Sequence, residues 1–255
     1  MRGKWVRLTA NRRFIVDLMR AAKSVPTVPV ERRMDLGRLK EVRERLDPRP
    51  SWAALFLKAY ASVARDVPAL RRAYVKLPWA HLCEYPVSTV SIAVEREHQG
   101  EKAVFFGHIR EPENIPVGRL TQLIRSYQTI PVETCREFQR LLRVSRLPGP
   151  LRRMGWWYYL NSARNRGNCF GTFALSVYSR PGSQSLHPLS PCTGTLNYGP
   201  IDEEGLVTVR LIYDHRVVDG STVARALEEL EHQLNGPLAL ELDGGVTRQV
   251  LRLAA

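Results

Sequence analysis

The stretch LVTVRLIYDHRVVDGSTVARALEELEHQL, residues 206–234, decides the fold reading because its apolar period changes midway. From Leu206 to Tyr213 the residues Val207, Val209, Leu211 and Tyr213 share one face, the alternation of a half-buried strand. From Ser221 to Leu234 the apolar positions are Val223, Leu227, Leu230 and Leu234, the stripe of an amphipathic helix. Between strand and helix lies YDHRVVDG, residues 213–220, in which His215 stands four residues before Asp219 and Gly220 closes the turn. A strand end suits chemistry, because the strand fixes a side chain while the turn exposes it.

Each member of that turn also has a plain structural reading. His215 can be a surface or satisfied histidine, Asp219 can cap the helix that follows, and Gly220 can supply a positive φ. Those readings leave unexplained the placing of His215 between acids and beside Arg216, an ensemble able to set an imidazole tautomer and neutralise the surrounding charge. One histidine with aspartates and no other clustered ligand argues against a metal site.

Working outward, alternating element types appear without repeats or low-complexity tracts. Arg12 to Lys23 reads as a helix with Ile15, Leu18 and Met19 on one face, and Leu36 to Leu46 as a short charged helix ended by Pro48 and Pro50. Ser51-Trp52 opens a periodic helix through Ala64, with Leu55, Ala59 and Val63 in its stripe. Val87 to Glu95 reads as a strand, and Ala103 to Ile109 as its antiparallel partner across a polar turn. Pro116 to Leu147 is helical with a break near Ile130-Pro131, and Pro148-Gly149-Pro150 stops it. Thr172 to Ser179 is a further strand.

The chain has 255 residues, enough to bury a substantial core, and its net charge is +13. No apolar run approaches the roughly 18 to 20 residues of a membrane-spanning helix, and the basic start lacks the apolar centre of a signal peptide. These point to a soluble, cytoplasmic protein. Cys83, Cys135, Cys169 and Cys192 are scattered, which speaks against a zinc ribbon, a redox pair or a disulfide framework. The positive charge is partly local: no Asp or Glu lies between Glu137 and Asp202, while Arg140, Arg143, Arg146, Arg152, Arg153, Arg164, Arg166 and Arg180 do. Such a field can attract an anionic membrane surface, the phosphates of coenzyme A or nucleic acid. Nucleic acid is disfavoured because no nucleic-acid fold motif accompanies it.

DHRVVDG resembles the active-site motif, His-x-x-x-Asp-Gly after a strand, of the catalytic domain of 2-oxoacid dehydrogenase dihydrolipoyl acyltransferases, whose fold is that of chloramphenicol acetyltransferase. The likeness continues in order through LTANRRFIVDLM, VERRMDLGRLKEVRERL, SWAALFLKAYASVARDVPALRRAYV, FGTFALSVYS and LHPLSPCTGTLNYGPI, covering roughly Val6 to Leu234. It implies an α/β fold of two layers, a mixed sheet flanked by helices, as a single acyltransferase-like catalytic domain over residues 1–255. It further implies a homotrimer with the site between subunits, and acyl transfer from coenzyme A to a thiol, hydroxyl or amine without a metal. His215 then takes the part of the general base, useful because an imidazole titrates near neutral pH. Ser176 takes that of a donor to the tetrahedral oxyanion, a role worth about 3 kcal/mol. Asp219 takes that of a structural acid paired with an arginine of the first helix, Arg12 or Arg13, of which alignment of NRRFI favours Arg12.

The chain also departs from the family pattern. It starts close to the first catalytic-domain helix, so the lipoyl and subunit-binding domains of a full acyltransferase are not expected within it, and a lipoyl domain or other carrier enters as a separate partner. EKAVFFGHI replaces the family's GLVVPV-like stretch. A segment at about 138–168, free of acid, sets Trp156, Trp157, Tyr158 and Tyr159 beside Arg152 and Arg153. It can line a cleft for an acyl chain and coenzyme A, meet another subunit, lie on an anionic membrane surface, or place its aromatics in a core. A non-catalytic trimeric scaffold is the rival reading for the whole chain.

Overall fold

Ser51 accepts a hydrogen bond from the backbone N–H of Ala54, and from that cap runs the helix around which the core is built. The computed structural model describes residues 3–177 and 185–244. In chain order the elements are α1 (Ala10–Lys23), β1 (Thr27–Asp35), α2 (Gly37–Glu44), α3 (Trp52–Asp66), β2 (Arg72–Val75), β3 (His81–Glu84), β4 (Thr89–His98) and β5 (Glu101–Arg110). They continue as α4 (Val117–Thr129), α5 (Arg136–Arg146), α6 (Gly149–Asn161), α7 (Ala163–Phe170), β6 (Phe173–Leu175), β7 (Gly194–Tyr198), β8 (Leu206–Asp214) and α8 (Gly220–Gln233).

Six strands form one mixed sheet in the order β1-β8-β7-β6-β4-β5, and β2 and β3 form a separate hairpin. The β4–β6 and β6–β7 pairs are parallel and the rest antiparallel. This is the mixed sheet flanked by helices that the resemblance implies. Alternation divides its faces by chemistry. Ile92, Phe173, Leu175, Leu196, Val207, Val209, Leu211 and Tyr213 join α3, α4 and α8 in the main core. The opposite face carries Ser91, Ala174, Thr195, Asn197, Arg210 and Asp214, all buried although mostly polar. Over that second face and the β5 edge pack α1, α5, α6 and α7.

The expected helices and strands appear with three corrections of substance. In α1 only Leu18 of the three expected core residues is buried; the inward face is Phe14, Asp17, Leu18, Ala21 and Ala22. The reason lies in α6, where Arg152 donates to the Asp17 carboxylate at 2.7 Å, so that an acid is held inside. The Pro148-Gly149-Pro150 stop is equally a start, because α6 begins at Gly149 with proline in its first turn, where a missing N–H costs nothing. The strand expected over Thr172–Ser179 is ordered as Phe173–Leu175; Ser179 and the basic Arg180 lie outside the described residues. Among the described residues no helix is long and apolar enough to cross a membrane, no three metal-ligating side chains converge, and the four cysteines are free.

Candidate active site

Thr27–Asp35 pairs with Leu206–Asp214 along its full length, so β8 ends as a strand held from both sides by β1 and β7. The last strand residue, Asp214, is completely buried. Its N–H donates to Thr193 O at 2.8 Å, and its carboxylate accepts from the Arg216 N–H at 3.1 Å and from the Arg216 guanidinium at 2.9 and 2.7 Å. The Asp214 carbonyl accepts from the N–H groups of Val217 and Val218. These bonds wind residues 214–218 into a tight turn, and Arg216 lies over the ring of Tyr74 at 4.6 Å. A buried carboxylate is tolerable because this arginine satisfies it through two parallel bonds.

His215 stands exposed on top of that turn. Its backbone N–H donates to Pro26 O at 3.3 Å, and its ring sits 5.5 Å from that of Tyr213. Asp219 occupies the N-cap position of α8, but its side chain makes no capping bond. Gly220 is the first residue of α8 and is not among the positive-φ glycines; a Cβ there would lie 3.2 Å from the Tyr213 hydroxyl, so close approach is what the small residue allows.

Ser176 follows β6. Its N–H donates to Leu196 O at 3.0 Å and its carbonyl accepts from Asn197 Nδ2 at 2.6 Å, which continues the ladder by one residue and sets the side chain on the face of Ala174. The strand is placed by Gly171, whose φ of +78 and contact with the Thr89 carbonyl leave no room for a side chain: a Cβ would sit 2.6 Å from that oxygen. Leu175 is level with Leu196, and Leu196 with Leu211, so Ser176 is level with Arg210. Five residue steps of about 3.4 Å separate that level from His215, roughly 17 Å along the sheet. Within one chain the two side chains therefore stand apart.

Arg12 and Asp219 are not brought together either. Arg12 pairs with Glu101 at 3.8 Å, at the start of β5. Asp219 follows β8, and β8 and β5 are four strand spacings apart in the sheet, about 19 Å. The part assigned to an Asp219–Arg12 pair, holding the histidine loop, is filled by Asp214 and Arg216. The spacing of two residues between them in the sequence is the signal that could have found this pair.

The acid-free segment forms α6, most of α7 and all of α5 after its first turn, where Glu137 stands, and divides its aromatics between two sides. Trp157 and Tyr158 face outward, while Trp156 stacks on Phe170 at 5.3 Å and meets Phe14 at 5.7 Å. Arg166 is buried and donates to the carbonyls of Tyr74, Leu160 and Pro191, fastening α7 to the segment before β7; burial lowers its pKa. Between these helices and the second sheet face is a cavity of about 520 Å³. Ala174 lines it; Ser176 and His215 do not. His108 projects from β5 into its wall, and burial pulls its pKa below the usual value.

No protein-family model and no curated protein sequence matches the chain. Solved structures do. A dihydrolipoamide acetyltransferase of Azotobacter vinelandii, in which the catalytic roles of a serine, a histidine and an asparagine were investigated, superposes with a TM-score of 0.67 at 17% identity over 93% of each chain. A truncated catalytic core of the 2-oxoacid dehydrogenase multienzyme complex from Thermoplasma acidophilum gives 0.67 at 16% identity, over 92% of this chain and 99% of that one. The cubic core of a pyruvate dehydrogenase multienzyme complex gives 0.64 at 17% identity over 93% of each chain. The chain thus has the fold of these acyltransferase cores.

Proposed function

We propose that the protein is an acyltransferase that moves an acyl group from coenzyme A to a thiol, hydroxyl or amine, with His215 as the general base. The observation that carries this reading is the exposed imidazole at a strand end whose backbone Asp214 and Arg216 hold rigid, on a fold shared with acyltransferase cores. In the Azotobacter protein the investigated histidine and asparagine are four positions apart, as are His215 and Asp219 here.

In the proposed reaction His215 takes the proton of the acceptor as that atom attacks the thioester carbonyl, and returns it to the departing thiolate. Ser176 donates to the oxyanion. Since the two are roughly 17 Å apart along one sheet, the reading requires His215 of one subunit to face Ser176 of the next, which fits a homotrimer and the multisubunit core formed by one of the structural neighbours. The arginines of α5 to α7 suit the phosphates of the coenzyme A substrate. The acceptor is a small molecule or the arm of a carrier such as a lipoyl domain.

Thiol release from a panel of acyl-CoA donors and acceptors, on the wild type and on His215→Ala, tests this. A loss of at least about a hundredfold in the variant is expected of a general base. No turnover and no coenzyme A binding by either protein would sink the proposal and leave a trimeric scaffold as the better description. A second reading, docking on an anionic membrane, is favoured by exposed Met154, at 64%, and Trp157, at 52%, next to Arg153 on α6. Salt-sensitive binding to anionic vesicles that survives His215→Ala would support it.

A further inference from the structure

We infer that the 520 Å³ cavity beneath α5 to α7 binds an apolar chain that ends in a carbonyl or carboxylate, the class of a medium-length fatty acid or acyl group. As the acyl-holding part of the site this rests on the transfer reading above, although binding itself does not require it. Three observations lead there. The first is size: at about 30 Å³ per water-sized group, the cavity has room for roughly seventeen such groups, within which a ten-carbon acid fits.

The second is the wall. Phe14, Leu18, Phe106, Leu141 and Trp156 make a continuous apolar surface, with Phe14 in ring contact with both Phe106 and Trp156. Binding there removes a ligand chain from water, which favours an apolar body. The third is a polar corner. Arg140 contacts only the Cys169 sulfur, at 3.6 Å, and pairs with no carboxylate among the described residues. Nε2 of the neighbouring His108 is buried without a hydrogen-bond partner and can donate to a carbonyl oxygen in its Nε2–H tautomer. Glu137 lines the same chamber beside them; an arginine outside any ion pair among the described residues and an imidazole nitrogen without a partner, in an otherwise largely apolar chamber, describe a ligand with an oxygen head and a hydrocarbon body.

Gly155 makes the test clean. It lines the cavity, an added Cβ meets nothing within 4 Å, and it lies inside α6, where alanine and tryptophan both have higher helix propensity than glycine. Decanoate and 1-decanol, titrated calorimetrically into the full chain, should each bind saturably at one site per chain. Gly155→Trp should weaken both at least about tenfold, while Gly155→Ala leaves them within about twofold. Arg140→Ala should weaken decanoate about tenfold and leave 1-decanol unchanged. Absence of saturable decanoate binding up to millimolar concentration, or wild-type affinity in Gly155→Trp, overturns the inference; equal losses for both ligands in Arg140→Ala overturn the placing of the head. His215→Ala should bind decanoate as the wild type does. Decanoate binding in a protein without acyl transfer keeps the chamber and removes the transfer reading, and turnover without such binding does the reverse.

Discussion

Asp214 is the residue on which the histidine turn hangs, although it touches no reacting atom in the proposed chemistry. Fully buried and bonded twice to the Arg216 guanidinium, it is expected to be far more sensitive than Asp219, whose side chain caps nothing. Removing one partner of a buried pair costs about 3–5 kcal/mol. Because the Arg216 side chain is 29% exposed, part of that cost is recovered by water, and Asp214→Ala should lose about 2–3 kcal/mol in urea unfolding. Asp219→Ala should stay within about 0.5 kcal/mol. His108 makes a different prediction. Burial lowers its pKa in the native state, so below about pH 6.5 the unfolded chain binds a proton that the native chain does not. Stability should therefore fall as the pH drops from about 6.5 toward the native value, and His108→Gln should flatten that slope in thermal melts recorded from pH 7 to pH 5.

Among elements, β6 is the shortest strand of the six and the one whose position matters most, since it carries Ala174 into the chamber wall and is followed directly by Ser176, which lies outside that wall. Gly171 decides that position: its φ of +78 is hostile to a side chain and the Thr89 carbonyl fills the space. Gly171→Ala should cost about 1–3 kcal/mol and, if β6 shifts, reduce turnover with it; chemical denaturation and thiol release on the same preparation check both. The elements of the core were legible from period alone, as Val207, Val209, Leu211 and Tyr213 and the stripe of α8 show, because the main core imposes one apolar face on each. α1 was not. It packs under other helices and against β5 together, so its inward face includes Asp17, and nothing local in the sequence announces a partner as distant as Arg152. α6 and α7 escaped for a related reason: they cover a polar sheet face and enclose a cavity, which demands no clean apolar stripe. Of the site, the motif that bears His215 was visible, and the two-residue spacing of Asp214 and Arg216 offered the pair; what the sequence withheld is that Asp214 is the buried member, since neighbouring charges do not reveal which one is buried.

At the scale of the molecule, the separation of His215 and Ser176 makes oligomerisation a condition for activity in the proposed mechanism. His215→Ala and Ser176→Ala, each nearly inactive alone, should regain thiol-release activity when mixed and refolded together, because mixed trimers restore interfaces with both side chains intact. Mixed material no more active than its components would place the two residues in separate roles. The two faces of the central sheet carry a further consequence. Odd and even positions of β4, β5 and β6 answer to different demands, one set meeting the core and the other lining the space under α5 to α7. Strand parity is thus a ready-made partition for evolution and for engineering: a library confined to Ser91, Ala174 and their same-face neighbours can explore new cargo while the residues that keep the chain folded stay untouched.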